Sequence, residues 1–164
     1  MKPAFSITLA TESRPTDQDL EALLKEVYVS GGYTDALVGD VVFRAANVKA
    51  RGEVLVAQDS VGTLMGTVTV VFPGSPACRF ATAHEAELHL LAVNASHRRR
   101  GVGHALVDAV ITAARKAGAR RLILWTQPSR RAAHGLYTKQ GFERVPRLDF
   151  WRGGRSFRVY ARQI

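Results

Sequence analysis

The chain has 164 residues, 46% of them hydrophobic, and one cysteine, so it fits a single domain over residues 1–164 and cannot form an internal disulfide. No apolar run approaches the roughly 18 residues of a membrane span, and the first residues lack a signal-peptide pattern, so we expect a cytoplasmic protein without a membrane partner. The net charge of +9 is uneven, because residues 1–93 carry 7 Lys and Arg against 11 Asp and Glu, whereas residues 94–164 carry 16 against 3. This asymmetry indicates that the second half faces an anion such as nucleic acid or a phosphate-rich cofactor, and the alternative for most of these arginines is a solvated basic surface.

The first half of the chain is predicted to contain four strands and two helices. Phe5–Thr11 alternates like a strand, and Thr16 is predicted to cap a helix whose apolar residues recur at helical spacing until Ser30. A short second helix is predicted around Asp35–Ala46. The lone Cys78 lies in a later loop with no obvious base beside it and is expected to be chemically idle. The remaining strands, of which the first two form a hairpin, are Glu53–Gln58, Leu64–Phe72 and Glu87–Val93.

The second half contains the clearest helix of the chain. Apolar residues from Val102 to Ala117 follow helical spacing over four turns, and Gly118 supplies the C-terminal stop. Ser129 is predicted to cap a later helix that runs to Gln140. The remaining segments are predicted strands: Arg121–Thr126, Phe142–Val145 and Phe157–Ala161. This order of elements favours a mixed sheet with helices on its faces.

A turn that combines glycines with arginines opens the long helix. It consists of Arg98, Arg99, Arg100, Gly101, Val102 and Gly103. Glycines let the backbone approach a ligand, the helix N-terminus carries about half a positive charge, and arginines add bidentate donors, so the turn is predicted to bind a pyrophosphate. A dinucleotide-binding fingerprint would need a third glycine where Leu106 stands, and a P-loop sequence is absent. A tight strand-to-helix turn with surface arginines is the alternative.

A second motif follows in the later helix. Together the two motifs resemble those of the GNAT superfamily of acyl-CoA N-acyltransferases, which reads Q/R-x-x-G-x-G/A after its fourth strand and A-x-x-L-Y-x-x-x-G-F further on. The first pattern is matched by Arg98, Gly101 and Gly103. The second is matched by Ala133, Leu136, Tyr137, Gly141 and Phe142. The resemblance extends from Glu87 to Phe142, and the order of the preceding elements fits as well.

The resemblance implies an α/β (α+β) domain with a GNAT-like mixed, mostly antiparallel sheet of six to seven strands, splayed fourth and fifth strands, and about four flanking helices. It implies acetyl-CoA as the co-substrate and no metal. The pantetheine arm would pair with the backbone of Leu91, Ala92 and Val93, and the pyrophosphate would lie on the N–H groups from Arg99 to Gly103. Many relatives carry asparagine where this chain has Arg130, so their contact with pantetheine is absent here or replaced by an arginine contact to phosphate.

The resemblance also implies direct transfer of the acetyl group to an amine. Tyr137 matches the family's general acid. Glu87 is the first choice for the base, because histone-type relatives place a glutamate at the same offset before the residue corresponding to Ala92. His89 is the second candidate, acting directly or through a water, since a strand of period two puts it on one face with Glu87, Leu91 and Val93. The structural alternative for Glu87 is to hold neighbouring loops or arginines, and a bulge would change this facing.

The acceptor is not identified by the sequence, and both protein amines and small-molecule amines stay open, as does a homodimer. The resemblance places the acceptor pocket among the first helices and late strands, whose acids and aromatics include Tyr28, Tyr33, Asp35, Asp40, Phe150 and Trp151. The alternatives to an enzyme are a catalytically silent acyl-CoA-binding module and a basic nucleic-acid-binding protein. No helix-turn-helix, zinc-finger or RNA-binding aromatic signature supports the latter.

Overall fold

The computed structural model describes residues 4–11 and 14–164. Its five helices are α1 (Asp17–Tyr28), α2 (Ala36–Val42), α3 (Ala45–Arg51), α4 (Val102–Lys116) and α5 (Arg131–Lys139). Its eight strands are β1 (Phe5–Leu9), β2 (Glu53–Asp59), β3 (Leu64–Val71), β4 (Glu85–Val93), β5 (Arg121–Thr126), β6 (Glu143–Arg144), β7 (Phe150–Arg152) and β8 (Arg155–Gln163). None of the helices in these ranges is long and apolar enough to cross a membrane.

The strands form a mixed sheet in the order β1-β2-β3-β4-β5-β8-β6, with β7 paired to β8. β4 and β5 run parallel, and each other pair in the described ranges is antiparallel. The predicted mixed, mostly antiparallel fold is therefore confirmed, although it has eight strands and five helices. The strand that sequence reasoning missed, β7, has only three residues and is too short for a period-two pattern to identify it.

Most predicted elements are confirmed within two residues at their ends, but two features differ. The helix expected around Asp35–Ala46 is two helices, because the backbone at Arg44 is extended (φ −58°, ψ 133°) and separates α2 from α3. Ser129 does not cap α5, which begins two residues later with Arg130 as its flanking residue. At α1 the predicted cap is confirmed, since the Thr16 hydroxyl accepts a hydrogen bond from the amide of Asp19 at 3.1 Å.

Hydrophobic side chains pack on both faces of the sheet. On one face, α4 presents the buried residues that its periodicity predicted, including Leu106 and Val110, to β2, β3 and β4. On the other face, α1 and α3 bury Leu20, Leu24 and Val48 against the same strands. Burial of an apolar stripe from each helix thus fixes the sheet between two helical layers.

β4 and β5 pair only at their first residues and then diverge. The pairs are Glu85 with Arg121, Ala86 with Leu122, and Glu87 with Ile123. Beyond Glu87, the described backbone of β4 pairs with β3 and that of β5 with β8. The predicted splay between the fourth and fifth strands is confirmed.

A bulge in β4 changes which of its side chains share a face. Thr67 pairs with Ala92 and Thr69 with His89, so β4 contains one residue more than β3 in this interval, and Leu90 adopts a positive φ of 54°. As a result Leu91 joins the core under α4, together with Ala86 and Leu88, which precede the bulge. The prediction that Leu91 and Val93 share a face with Glu87 and His89 is therefore wrong.

The packing of α4 predicts the effect of shortening its central leucine. Leu106 is fully buried, so Leu106→Ala should lower the free energy of unfolding by about 3 kcal/mol through lost apolar burial and a residual cavity. Leu37→Ala is the control, because Leu37 on α2 is 84% exposed and its loss should change stability by less than about 0.5 kcal/mol. Urea denaturation measures both, and equal effects would contradict this account of the core.

Candidate functional site

A cleft of about 360 Å³ opens beside the gap between β4 and β5. Its walls come from α1, α2, β4, β5 and the β7–β8 turn, and they include Tyr28, Tyr33, Asp35, His89, Trp125 and Arg130. Three of the predicted acceptor-pocket residues, Tyr28, Tyr33 and Asp35, therefore line the cleft. Three do not: Asp40 pairs with Lys25 at 2.9 Å, Phe150 packs under Trp125, and Trp151 is 76% exposed.

His89 and Glu87 form a hydrogen-bonded pair at the base of this cleft. Nε2 of His89 lies 2.7 Å from Oε2 of Glu87, and the two side chains are 5% and 0% exposed. The His89 ring also packs edge-on against Trp125, with 4.7 Å between ring centroids. His89 contributes to the wall of the cleft, whereas Glu87 lies behind it.

The Glu87 carboxylate is surrounded by donors from the preceding loop. Backbone amides of Arg79 and Ala81 donate to Oε1 at 2.9 and 2.8 Å, the amide of Phe80 donates to the same oxygen, and the Cys78 thiol lies 3.6 Å away. The structural role considered for Glu87, holding a neighbouring loop, is therefore present in the structure. With His89 on Oε2 as well, neither carboxylate oxygen is directed toward the cleft.

The electrostatics of the pair fix its protonation. Burial alone would raise the pKa of Glu87, but the hydrogen bonds from His89 and from the Phe80 and Ala81 amides outweigh burial and leave that pKa lowered. Burial, together with the charges of Arg51 and Arg152, lowers the pKa of His89 more than Glu87 raises it. At neutral pH the carboxylate is thus ionised and the imidazole neutral, so Nε2–H donates to Glu87 and Nδ1 keeps a free lone pair.

Tyr137 lies on α5 and is buried beside Phe142 and Tyr160. Burial raises the pKa of its phenol, with the nearby Tyr28 raising it further and Arg130 lowering it. Both of those neighbours line the cleft, although Tyr137 itself does not. The phenol therefore stays protonated across the physiological pH range and can act as a proton donor.

The predicted phosphate turn lies outside the wall of the cleft, at the N-terminus of α4, with Arg98, Arg99, Arg100 and Gly101 exposed and Val102 buried. Gly101 precedes the helix in the left-handed conformation (φ 80°), which a side chain would strain. A Cβ at Gly103 would lie 3.3 Å from Leu136 of α5, so the second glycine permits close packing of the two motif helices. The first amides of α4 have no partner within the helix and remain available to an anion.

Of the backbone groups expected to bind pantetheine, two carbonyls accept hydrogen bonds from side chains: Val93 from Nε of Arg98 at 3.3 Å, and Leu91 from two residues of the cleft. The Leu91 carbonyl accepts hydrogen bonds from the Tyr28 hydroxyl at 2.8 Å and from Nη2 of Arg130 at 3.4 Å. Arg130 also donates to Tyr28 at 3.0 Å and its guanidinium lies 4.7 and 5.2 Å from the Tyr28 and Tyr33 ring centroids. Arg130 thus lies within the cleft, next to the strand backbone, and not at the phosphate turn.

Many residues in the wall of the cleft were missed by sequence reasoning. They include Arg51, which ends α3, Arg152, which ends β7, and Thr126, which ends β5. The Thr126 side chain is 3% exposed and its hydroxyl has no hydrogen-bond partner among the described residues. The charge excess of residues 94–164 includes Arg152 but not Arg51, and nothing in the sequence pairs positions 51 and 152.

The family to which this geometry belongs is found by comparison with family models. The model of the acetyltransferase (GNAT) family matches residues 18–142, which include β4, the phosphate turn and α5. The chain belongs to the GNAT family of acetyltransferases. A search among curated proteins finds no match.

Solved GNAT structures agree with the fold over nearly the whole chain. A GNAT acetyltransferase from Staphylococcus aureus Mu50 superposes with a TM-score of 0.77 at 17% identity, covering 98% of this chain and 99% of that one. A GCN5-related N-acetyltransferase from Kribbella flavida gives 0.75 at 25% identity, covering 98% of each chain. A Bacillus subtilis acetyltransferase in complex with CoA gives 0.70 at 22% identity, covering 98% and 99%.

The donors around Glu87 predict a large stability effect at this position in the GNAT domain. Glu87→Ala should lower the free energy of unfolding by about 3 kcal/mol, because it leaves buried amides and the His89 N–H without an acceptor. Glu85→Ala on the same strand is the control and should cost about 1 kcal/mol or less, since the Glu85 carboxylate is partly exposed and 3.5 Å from Arg121. Thermal or urea denaturation compares the two, and a Glu87→Ala protein as stable as the control would contradict the proposed anchoring role.

Proposed function

We propose that this chain, as a single domain over residues 1–164, transfers the acetyl group of acetyl-CoA directly to a primary amine. The observation that carries the proposal is the gap between β4 and β5, because a neutral histidine and strand backbone that no longer pairs with β5 meet there, with the buried phenol of Tyr137 next to Tyr28 and Arg130 of the cleft wall. The family supports the acyl-transfer chemistry, and the CoA bound to the Bacillus subtilis relative supports the co-substrate.

The co-substrate is expected to bind across the gap with its diphosphate on the phosphate turn. The free amides of the first turn of α4 and the exposed side chains of Arg98, Arg99 and Arg100 can neutralise it. The pantetheine arm would run along Leu91, Ala92 and Val93 as an added strand. Arg130 lies beside this path and already donates to the Leu91 carbonyl, so its guanidinium is expected to contact the arm or the acetyl group. Within the described ranges, no cluster of His, Cys, Asp and Glu could hold a metal ion.

The reaction needs one proton acceptor and one proton donor. The amine nitrogen attacks the thioester carbonyl, the C–N bond forms, and the C–S bond breaks to release the CoA thiolate. The amine proton passes to a base and the thiolate takes a proton from an acid. Because the amine attacks only in its neutral form, the base must be unprotonated at neutral pH.

His89 fits the role of the base better than Glu87 does. Its Nδ1 is the free nitrogen of a neutral ring in the wall of the cleft, whereas the Glu87 oxygens bind the loop amides and His89 itself. Glu87 is then a positioning residue, which holds the proton on Nε2 and keeps Nδ1 available. Tyr137 is the acid, because its raised pKa keeps the phenol protonated and its neighbours Tyr28 and Arg130 line the cleft.

Removal of the phenol tests the acid. Tyr137→Phe should lower kcat about 100-fold, because it deletes the proton donor while keeping the buried ring that packs against Phe142. Stopped-flow or steady-state release of the CoA thiol measures turnover, and calorimetry measures CoA binding, which should be unchanged. An unchanged kcat would refute the acid role, and a parallel loss of CoA affinity would indicate a binding role.

Replacement of the imidazole tests the base. His89→Gln should lower kcat/KM by about 100- to 1,000-fold, because glutamine can still bond to Glu87 but cannot accept the amine proton. Acetyl-CoA affinity, measured by calorimetry, serves as the control and should not change.

The positioning role of Glu87 has its own readout. In NMR spectra of histidine-labelled protein, His89 should titrate below its ordinary value of about 6.5 and carry its proton on Nε2. Glu87→Gln should lower the His89 pKa further, because the carboxylate raises it, and should weaken the preference for the Nε2–H tautomer. A His89 that titrates above 6.5 in the wild-type protein would contradict this arrangement.

A further inference from the structure

The walls of the cleft carry an excess of positive charge that no protein group neutralises. Arg51, Arg130, Arg152 and Arg155 all line it, and Asp35 is the single carboxylate among the lining residues that the structure describes. Asp35 is already paired, since its Oδ1 lies 2.9 Å from Nη2 of Arg155. Within residues 4–11 and 14–164, no carboxylate lies within salt-bridge distance of the other three arginines.

Two of these arginines, Arg51 and Arg152, share the cleft wall with His89 and are close enough to act on it electrostatically. Burial lowers the pKa of the Arg51 guanidinium, and the charge of Arg152 lowers it further. The pKa of Arg152 is likewise lowered by burial and by the charge of Arg79. Both Arg51 and Arg152 also lower the pKa of His89, so their positive charge acts at the proposed base in the cleft wall. Like charges kept together without a counter-ion destabilise the folded protein, so such a cluster is expected to have an anionic ligand.

Two further features point to a ligand in the same place. Arg130 donates only to neutral groups, the Tyr28 hydroxyl and the Leu91 carbonyl, so its charge is also uncompensated. Thr126 lines the cleft and is only 3% exposed, and its hydroxyl has no hydrogen-bond partner in the described part of the chain. An unsatisfied buried hydroxyl beside free guanidinium groups is a ready donor and acceptor for a polar molecule.

We propose that the acceptor is a small amine that also carries a carboxylate, such as an amino acid, and that Arg51 and Arg152 bind this carboxylate while the amine faces His89. This substrate class rests on the acetyl transfer proposed above. The guanidinium fork matches a carboxylate in bidentate geometry. The aromatic walls formed by Tyr28, Trp125 and Phe157 fit an apolar body, and a volume of about 360 Å³ suits a small molecule.

The positive field also favours the reactive form of the amine. An ammonium ion in this field would be repelled, so its pKa falls and the neutral, nucleophilic amine is favoured. A cationic acceptor such as a polyamine would have no counter-charge in the described walls apart from Asp35, which is paired. In this proposal the charge that recognises the acceptor comes from arginines that hold an anionic group, and not from Asp35 and Asp40, which are paired with Arg155 and Lys25.

Binding of carboxylates without an amine tests the inference separately from catalysis. The probes are propanoate, hexanoate and 3-phenylpropanoate, each compared by calorimetry with its neutral amide on the full chain with CoA present. We expect at least one carboxylate to bind about tenfold more tightly than its amide. Arg51→Gln and Arg152→Gln should each remove about tenfold of that affinity, and Arg115→Gln, an exposed arginine of α4, should leave it unchanged.

Three binding results would overturn the inference: amides that bind as tightly as the carboxylates, no carboxylate binding below about 10 mM, or equal loss of affinity in Arg115→Gln. The use of two arginine variants guards against a single variant that fails to fold.

Turnover separates this inference from the proposed function. Release of the CoA thiol is measured with phenylalanine, phenylalaninamide and phenethylamine, and likewise with methionine and its amide. We expect the carboxylate-bearing members to have kcat/KM about tenfold or more above the neutral ones, with Arg51→Gln raising KM for the acceptor but not for acetyl-CoA. Turnover of neutral amines alone would overturn the inference and leave the acetyltransferase intact. Arginine-dependent carboxylate binding without thiol release from any amine would instead count against the proposed transfer.

Discussion

The buried carboxylate of Glu87 is the interaction on which the cleft depends. Glu87 is the last residue at which β4 pairs with β5, so the two strands separate directly after this buried charge. Its Oε1 gathers the amides of the Cys78–Ala81 loop, and that loop brings Phe80 against Trp125, a wall of the cleft. Its Oε2 fixes the ring of His89. This one buried charge, with hydrogen bonds to both of its oxygens, therefore fixes the position of the loop, the position of the aromatic wall and the tautomer of His89.

The bulge at Leu90 adds the second requirement of the site. A regular β4 would send Leu91 and His89 to one face and would direct each strand carbonyl into a ladder. With one extra residue, His89 faces the cleft, Leu91 packs under α4, and the Leu91 carbonyl is reached by Tyr28 and Arg130 from the cleft side. The strand thus places the His89 imidazole in the cleft wall and turns the Leu91 carbonyl toward Tyr28 and Arg130, within three residues. The strained φ of Leu90 is located at the point where both are needed.

Much of the fold could be predicted because its signals are local. The spacing of apolar residues in α4 and Gly118 behind it define that helix from sequence alone, and the β2–β3 hairpin follows from the turn residues between two β-branched runs. The bulge could not be predicted, since Leu90 and Leu91 are both apolar and a shift of one residue leaves the pattern unchanged. Arg51 and Arg152 are separated by most of the chain, so only the tertiary structure brings them to one wall. For Glu87 the sequence left open a base and a loop anchor; the hydrogen bonds show the contacts of an anchor, with His89 beside it, and the choice of base stays a proposal.

The two opposing influences on His89 give the site a way to respond to its acceptor. Burial and the charges of Arg51 and Arg152 lower the pKa of the imidazole, whereas Glu87 raises it. A carboxylate held by the two arginines would cancel part of their field at His89, so the imidazole would become a stronger base as the acceptor binds. If the carboxylate lies on the arginine side of the cleft, it would cancel the field of the two arginines only in part at the amine. The remaining positive field would keep the amine neutral. A cationic wall without a resident counter-ion is therefore compatible with a base, provided that the substrate itself brings the negative charge.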